Sequence, residues 1–130
     1  MELKPELVMA QNGKWYVDER AAIEVRPAIY DRITAKLHIG DGESGHAATA
    51  RAIGLGDRST KELIGLLIFK KDGKLYFINS SGWYPGELTE EEQSAIASAL
   101  SNEYRMTTAY GIPPKSGIIN RPGGSISSEQ

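Results

Sequence analysis

Apolar residues fill positions 63–69 almost without interruption, give way to a charged turn at Lys71-Asp72-Gly73, and resume at Leu75, Tyr76, Phe77 and Ile78. Two apolar runs around Asp-Gly predict a β-hairpin over residues 62–80, the element around which the rest of the chain assembles. The unbroken first run predicts a strand covered on both faces. Ser59-Thr60-Lys61-Glu62 ahead of it also fits a helix capping box, but Gly65 inside the run and the β-forming second run favour the strand.

Upstream, residues 7–11 and 14–17 flank Asn12-Gly13, the dipeptide that suits a type I′ turn, which predicts a second hairpin. Residues 22–26 (AIEVR) alternate apolar and charged side chains, predicting one more half-buried strand or an extension of that hairpin, closed by Pro27. Ile29, Ile33 and Leu37 then recur every four residues up to Gly40, and with Pro27 at the first turn this spacing predicts a helix at about 27–38. The turn formers of residues 40–45 lead into an alanine-rich stretch that predicts a second helix from an N-cap at Ser44 to Gly54 or Gly56. A third helix is expected over 89–103, opened by a Thr89/Glu92 capping box, with a narrow stripe of Ile96, Ala99 and Leu100. Residues 104–110 have the composition of a further strand.

Together these elements predict a single α+β domain. Its antiparallel sheet comes from two hairpins plus the late strand, with three helices mainly on one face. Beyond residue 110 the chain changes character: Pro113, Pro114, Pro122 and several glycines forbid regular structure, yet Ile112, Ile118, Ile119 and Ile126 sit among them. The reading is a core domain over 1–110 and an extended arm over 111–130 that docks through its isoleucines. About 15 extended residues span on the order of 45 Å, which suffices to reach a neighbouring subunit, so a homo-oligomer is expected.

Composition narrows the function classes. At 130 residues with 40% hydrophobic side chains the chain can build one core. Fifteen basic against seventeen acidic groups give a net charge of -2, which lacks the strongly basic footprint of nucleic-acid binding. Cysteine is absent, removing disulfides, thiolate nucleophiles and Cys-ligated metals. No apolar run approaches the roughly 18 residues needed to cross a bilayer, and no secretory signal is visible. A cytoplasmic location is expected, in a host cell if the chain is phage-encoded or delivered as an effector.

Candidate chemistry is sparse. His38 and His46 flank a loop with Asp41 and Glu43, and Asp57 follows, but no metal-binding or i, i+4 histidine motif is present. The glycines of residues 40–45 are spaced neither as a phosphate-binding loop nor as a dinucleotide fingerprint. No nucleophile elbow occurs, and Glu90, Glu91 and Glu92 are accounted for by helix capping. Trp83 and Tyr84 read either as a lid over the core or as a stacking platform. In the arm, Arg121 lies beside Gly123, Gly124 and Ser125, a guanidinium next to amides and a hydroxyl that could hold an anion. Residues 104–130, which include Arg105, carry three basic groups and one acidic, against none and five over 86–103. The expected function is non-catalytic: holding an anionic, nucleotide-like small molecule, or occluding a partner protein as an inhibitor, without cofactor, metal or membrane. Arg121, Gly123, Gly124, Ser125, Trp83, Tyr84 and Arg105 would form the site. The alternative is a small effector-type enzyme, a ribonuclease or nucleotide-cleaving toxin, using His46.

Overall fold

The computed structural model describes residues 5–10, 12–54, 62–80 and 86–114. They form a mixed α+β domain with one seven-stranded sheet and two helices. The strands are β1 (Glu6–Met9), β2 (Tyr16–Asp18), β3 (Ile23–Asp31), β4 (Lys36–Ile39), β5 (Leu63–Lys71), β6 (Lys74–Asn79) and β7 (Thr108–Tyr110); the helices are α1 (Gly45–Ala52) and α2 (Glu90–Tyr104). Sheet order is β1-β4-β3-β5-β6-β7, with β2 pairing with the first part of β3. No helix among the described residues is long and apolar enough to cross a membrane.

The central hairpin forms as expected, β5 against β6 from Leu66↔Asn79 to Lys71↔Lys74. Its turn residues Asp72 and Gly73 both have positive φ, 52° and 77°, as a type I′ turn requires. Helix α2 also follows its sequence: the Thr89 hydroxyl accepts from the Glu92 amide while the Glu92 carboxylate accepts from the Thr89 amide. Strand β7 adds to the sheet after α2, although parallel to β6.

Three expectations are corrected. Residues 27–38 are not a helix, so the described residues hold two helices rather than three. They belong to the antiparallel pair β3 and β4, joined across residues 32–35. The four-residue spacing misled because Ile33 lies in the turn, 64% exposed, while Ile29 and Leu37 fall on opposite faces of the sheet. Asn12-Gly13 does turn the chain, Gly13 N donating to Ala10 O, but the flanking strands do not pair: β1 runs parallel to β4, and β2 pairs with β3. The sheet is therefore mixed. Finally, the helices do not share a face.

Alternation along the strands sorts the side chains. Ala28, Tyr30, Leu37, Ile39, Ile64, Leu66, Ile68, Leu75 and Phe77 point to one face, where Ile96 and Leu100 of α2 close the main core. Each of these fully buried large side chains is worth roughly 1.5–3 kcal/mol. On the other face α1 covers one corner, Ala50 packing with Ile29 and Leu63. The remainder of that face carries Val25, Leu67, Phe69, Tyr76 and Ile78, all half-buried.

Proline 27 inside a paired strand has a specific remedy. Gly40 N donates to Pro27 O, and the reciprocal bond of such a pair needs an N–H that proline lacks. Arg26 supplies it from a side chain: its Nε donates to Gly40 O at 2.8 Å. Arg26 is 4% exposed, lies 5.7 Å from the Trp15 ring centroid and places Nη1 3.5 Å from the Tyr104 hydroxyl. Its Nη2 has no partner among the described residues and is packed against Gly13, where a Cβ would lie 2.5 Å away.

Candidate functional site

The second buried cation lies on the opposite face, where the chain leaves the sheet. Gly111 N donates to Phe77 O beyond the end of β7, and Gly111 adopts φ 141°, a conformation that glycine enters without steric cost. The chain then passes through Ile112, Pro113 and Pro114, whose fixed φ keeps it extended. This segment lies over the start of β3 and the end of β5 and borders an open groove of about 300 Å³ lined by Ala21, Ile23, Phe69, Lys71, Ile112, Pro113 and Pro114. The first residues of the arm thus dock on this chain's own sheet.

Lys71 is 5% exposed. The two-residue period of β5 directs it to the same side as Leu67 and Phe69, and its Nζ donates to Pro114 O at 2.8 Å. An ammonium has three donors, and no carboxylate among the described residues pairs with this one. A buried charge is costly unless paired and hydrogen-bonded. The groove therefore combines apolar walls, the Phe69 ring and one electrostatically incomplete cation, which is complementary to an anionic group on an apolar body.

The residues singled out in the sequence fare differently. Trp83, Tyr84, Arg121, Gly123, Gly124 and Ser125 lie outside the described residues. Arg105 is the C-cap of α2, exposed, with a left-handed φ of 58°. His46 sits in the first turn of α1 with Nε2 2.7 Å from Leu66 O, a bond in which the ring N–H donates and ties the helix to β5. Asp41 lies with His38, not His46, in a separate cleft beside α1. Among the described residues no three His, Asp or Glu side chains converge as metal ligands would. Glu92 serves as the capping residue expected, and its carboxylate also takes Arg32 Nε at 2.7 Å and Nη2 at 2.6 Å.

Sequence reasoning missed Lys71, taking it for part of a charged turn. The available signal was its register: an odd position continuing the series Leu63, Gly65, Leu67, Phe69. No protein-family model matches the chain, nor does any curated protein or solved structure.

Proposed function

We propose that this is a non-catalytic binding protein for a small organic anion, held where the arm meets the sheet, with the charged group on Lys71 and the apolar body against Phe69, Ile23 and Pro113. The observation that carries this reading is a lysine only 5% exposed beside an open, mainly apolar groove of about 300 Å³, its ammonium having one backbone carbonyl as partner among the described residues. A pocket of this size lies at the small end of ligand sites and suits a single ring with one acidic substituent. Arg121 follows Pro114 by seven residues, a reach of about 23 Å. With Gly123, Gly124 and Ser125 it would add donors for a more highly charged group such as a phosphate.

Calorimetric titration tests the reading with benzoate and phenyl phosphate as anionic probes and benzyl alcohol as their neutral counterpart. Both anions are expected to bind saturably, and benzyl alcohol at least about tenfold more weakly, since a hydrogen bond to a charged group is worth about 1.5–3 kcal/mol. Lys71→Met should remove the preference for the anions, and Arg121→Ala should weaken phenyl phosphate more than benzoate. Equal binding of the three probes, or unchanged anion binding by the Lys71 variant, would overturn the assignment.

A further inference from the structure

A second cavity, of about 330 Å³, lies between α1 and the parallel edge pair β1/β4. Val8 and Met9 of β1 and His38 of β4 form one wall, Ala48 and Ala52 of α1 the other, with Asp41 and Ser44 at the turn between them. The approach of helix to sheet depends on Gly40, because a Cβ there would lie 2.2 Å from Thr49 Oγ1. Ala48 and Ala52, four residues apart, lie on one side of the helix, and their small side chains leave the space open.

His38 supplies the specific chemistry. Its Nδ1 is sealed from solvent and has no hydrogen-bond partner among the described residues. Its Nε2 is unbonded too among those residues but is not sealed, so it is the ring nitrogen left to meet an occupant. A buried N–H without an acceptor is a rarer and costlier arrangement than a bare lone pair. The neutral ring therefore carries its proton on Nε2 and leaves Nδ1 as the unpaired acceptor. Burial lowers the His38 pKa below the ordinary imidazole value, an effect that Asp31 opposes and Lys36 assists, which favours the neutral ring. Among the described residues the cleft lining holds no cation and one carboxylate, Asp41, which disfavours an anion there, in contrast to the Lys71 groove.

We propose that the α1/β4 cleft is a second ligand site, one that takes an uncharged ring compound of about nucleobase size, recognised by donation from His38 Nε2–H to an acceptor on the ring. The apolar walls take the ring faces, and the volume is at the lower limit of small-molecule pockets, roughly 300 Å³. This assignment is independent of the Lys71 site.

Nuclear magnetic resonance on the isotope-labelled full chain tests it with 2-pyridone, whose ring carbonyl is an acceptor, and toluene, which has the same ring size and none. Expected are saturable shifts from 2-pyridone at the Val8, Ala48 and Ala52 amides and at His38 Nε2, and binding of toluene at least about fivefold weaker, the scale of one hydrogen bond. His38→Phe should reduce 2-pyridone to the affinity of toluene. Ala52→Leu places bulk in the cleft from an exposed helical position that favours leucine, and should block both probes without changing the spectrum elsewhere; it carries the test if the His38 variant fails to fold. Absence of shifts at the cleft, equal affinity for the two probes, persistence of 2-pyridone binding in Ala52→Leu or in folded His38→Phe, or a proton found on Nδ1 would each overturn the proposal.

Discussion

Arg26 and Lys71 are buried to nearly the same degree, 4% and 5% exposed, on opposite faces of one sheet, and they do different work. Arg26 is bound into the fold: its guanidinium replaces the hydrogen bond that Pro27 cannot make, meets the Tyr104 hydroxyl and lies near the Trp15 ring. Its remaining unpaired Nη2 is pressed against Gly13, which leaves no room for a ligand. Lys71 has, among the described residues, one carbonyl contributed by the start of the arm, and open volume beside it. Guanidinium is planar, delocalised and weakly hydrated, whereas ammonium is a compact, strongly hydrated point charge, so the residue with fewer partners is also the one that needs them more. Burial of a cation does not by itself mark a site. The internal acceptors it already has and the space beside it decide.

The comparison breaks most directly at Arg26. Arg26→Ala should destabilise the protein by about 3 kcal/mol. This sums an unpaired Gly40 carbonyl, about 1–3 kcal/mol, the contact with Trp15, about 0.5–2, and lost packing, less whatever was spent on the unpaired Nη2. Urea unfolding monitored by Trp fluorescence measures it. A loss below about 1 kcal/mol would mean that Arg26 is not the fold's substitute for the missing proline donor, and the contrast with Lys71 would lose one side.

A third cation sharpens the scale because its charge is paired with a carboxylate. Arg32 makes a bidentate pair with Glu92 and also donates to Glu87 O, joining the β3–β4 turn to the start of α2. Glu92→Ala removes both this pair and half of the capping box and should cost about 2 kcal/mol; Glu92→Gln, which retains a capping side chain, should cost roughly half of that. Burial opposes the Glu92 charge, but the Arg32 guanidinium and the Thr89 amide outweigh it and hold the carboxyl below its ordinary value. A depressed folded pKa means that this contribution is complete above the ordinary carboxylate range and is lost as pH falls through the folded value. Thermal melts of the wild type should therefore lose stability on acidification in a way that Glu92→Gln lacks. Parallel pH profiles of the two proteins would remove Glu92 from the account.

What the sequence disclosed follows the range of the interactions involved. The β5–β6 hairpin and α2 were legible because their signals, Asp72-Gly73 and Thr89 with Glu92, act within four residues. Residues 27–38 were misread because a spacing of four is compatible with a helix and conceals a turn when apolar residues stand on both sides of it; Ala35, with φ 56°, closes that turn with nothing in its identity to announce it. The partners of β1 and β2 were not legible either, since a parallel pair such as β1/β4 is fixed by contacts across the whole N-terminal third. The site shows the same rule. The sequence drew attention to Arg121 as a cation for an anion, whereas the contact on which the proposed site rests, between Lys71 and Pro114, joins residues 43 apart. The alternation that turns Lys71 inward was readable; the segment that covers it was not.

The smallest effect on stability is expected at Lys71, and it separates the two cations most sharply. Lys71→Met keeps the length and apolar stem of the side chain, so the walls beside Phe69 and Ile23 remain packed. It removes a buried charge that has little compensation, which tends to be neutral or stabilising. The carbonyl it abandons belongs to Pro114, which is exposed, so water can replace the ammonium as donor. These terms nearly cancel, and the unfolding free energy from urea titration should change by no more than about 0.5 kcal/mol. Affinity for benzoate should nevertheless fall at least about tenfold, because the charge that would recognise it is gone. A variant that is destabilised by more than about 2 kcal/mol would place Lys71 beside Arg26 as a structural cation. One that is stable and binds benzoate as before would leave the groove without the charge that gives it a ligand.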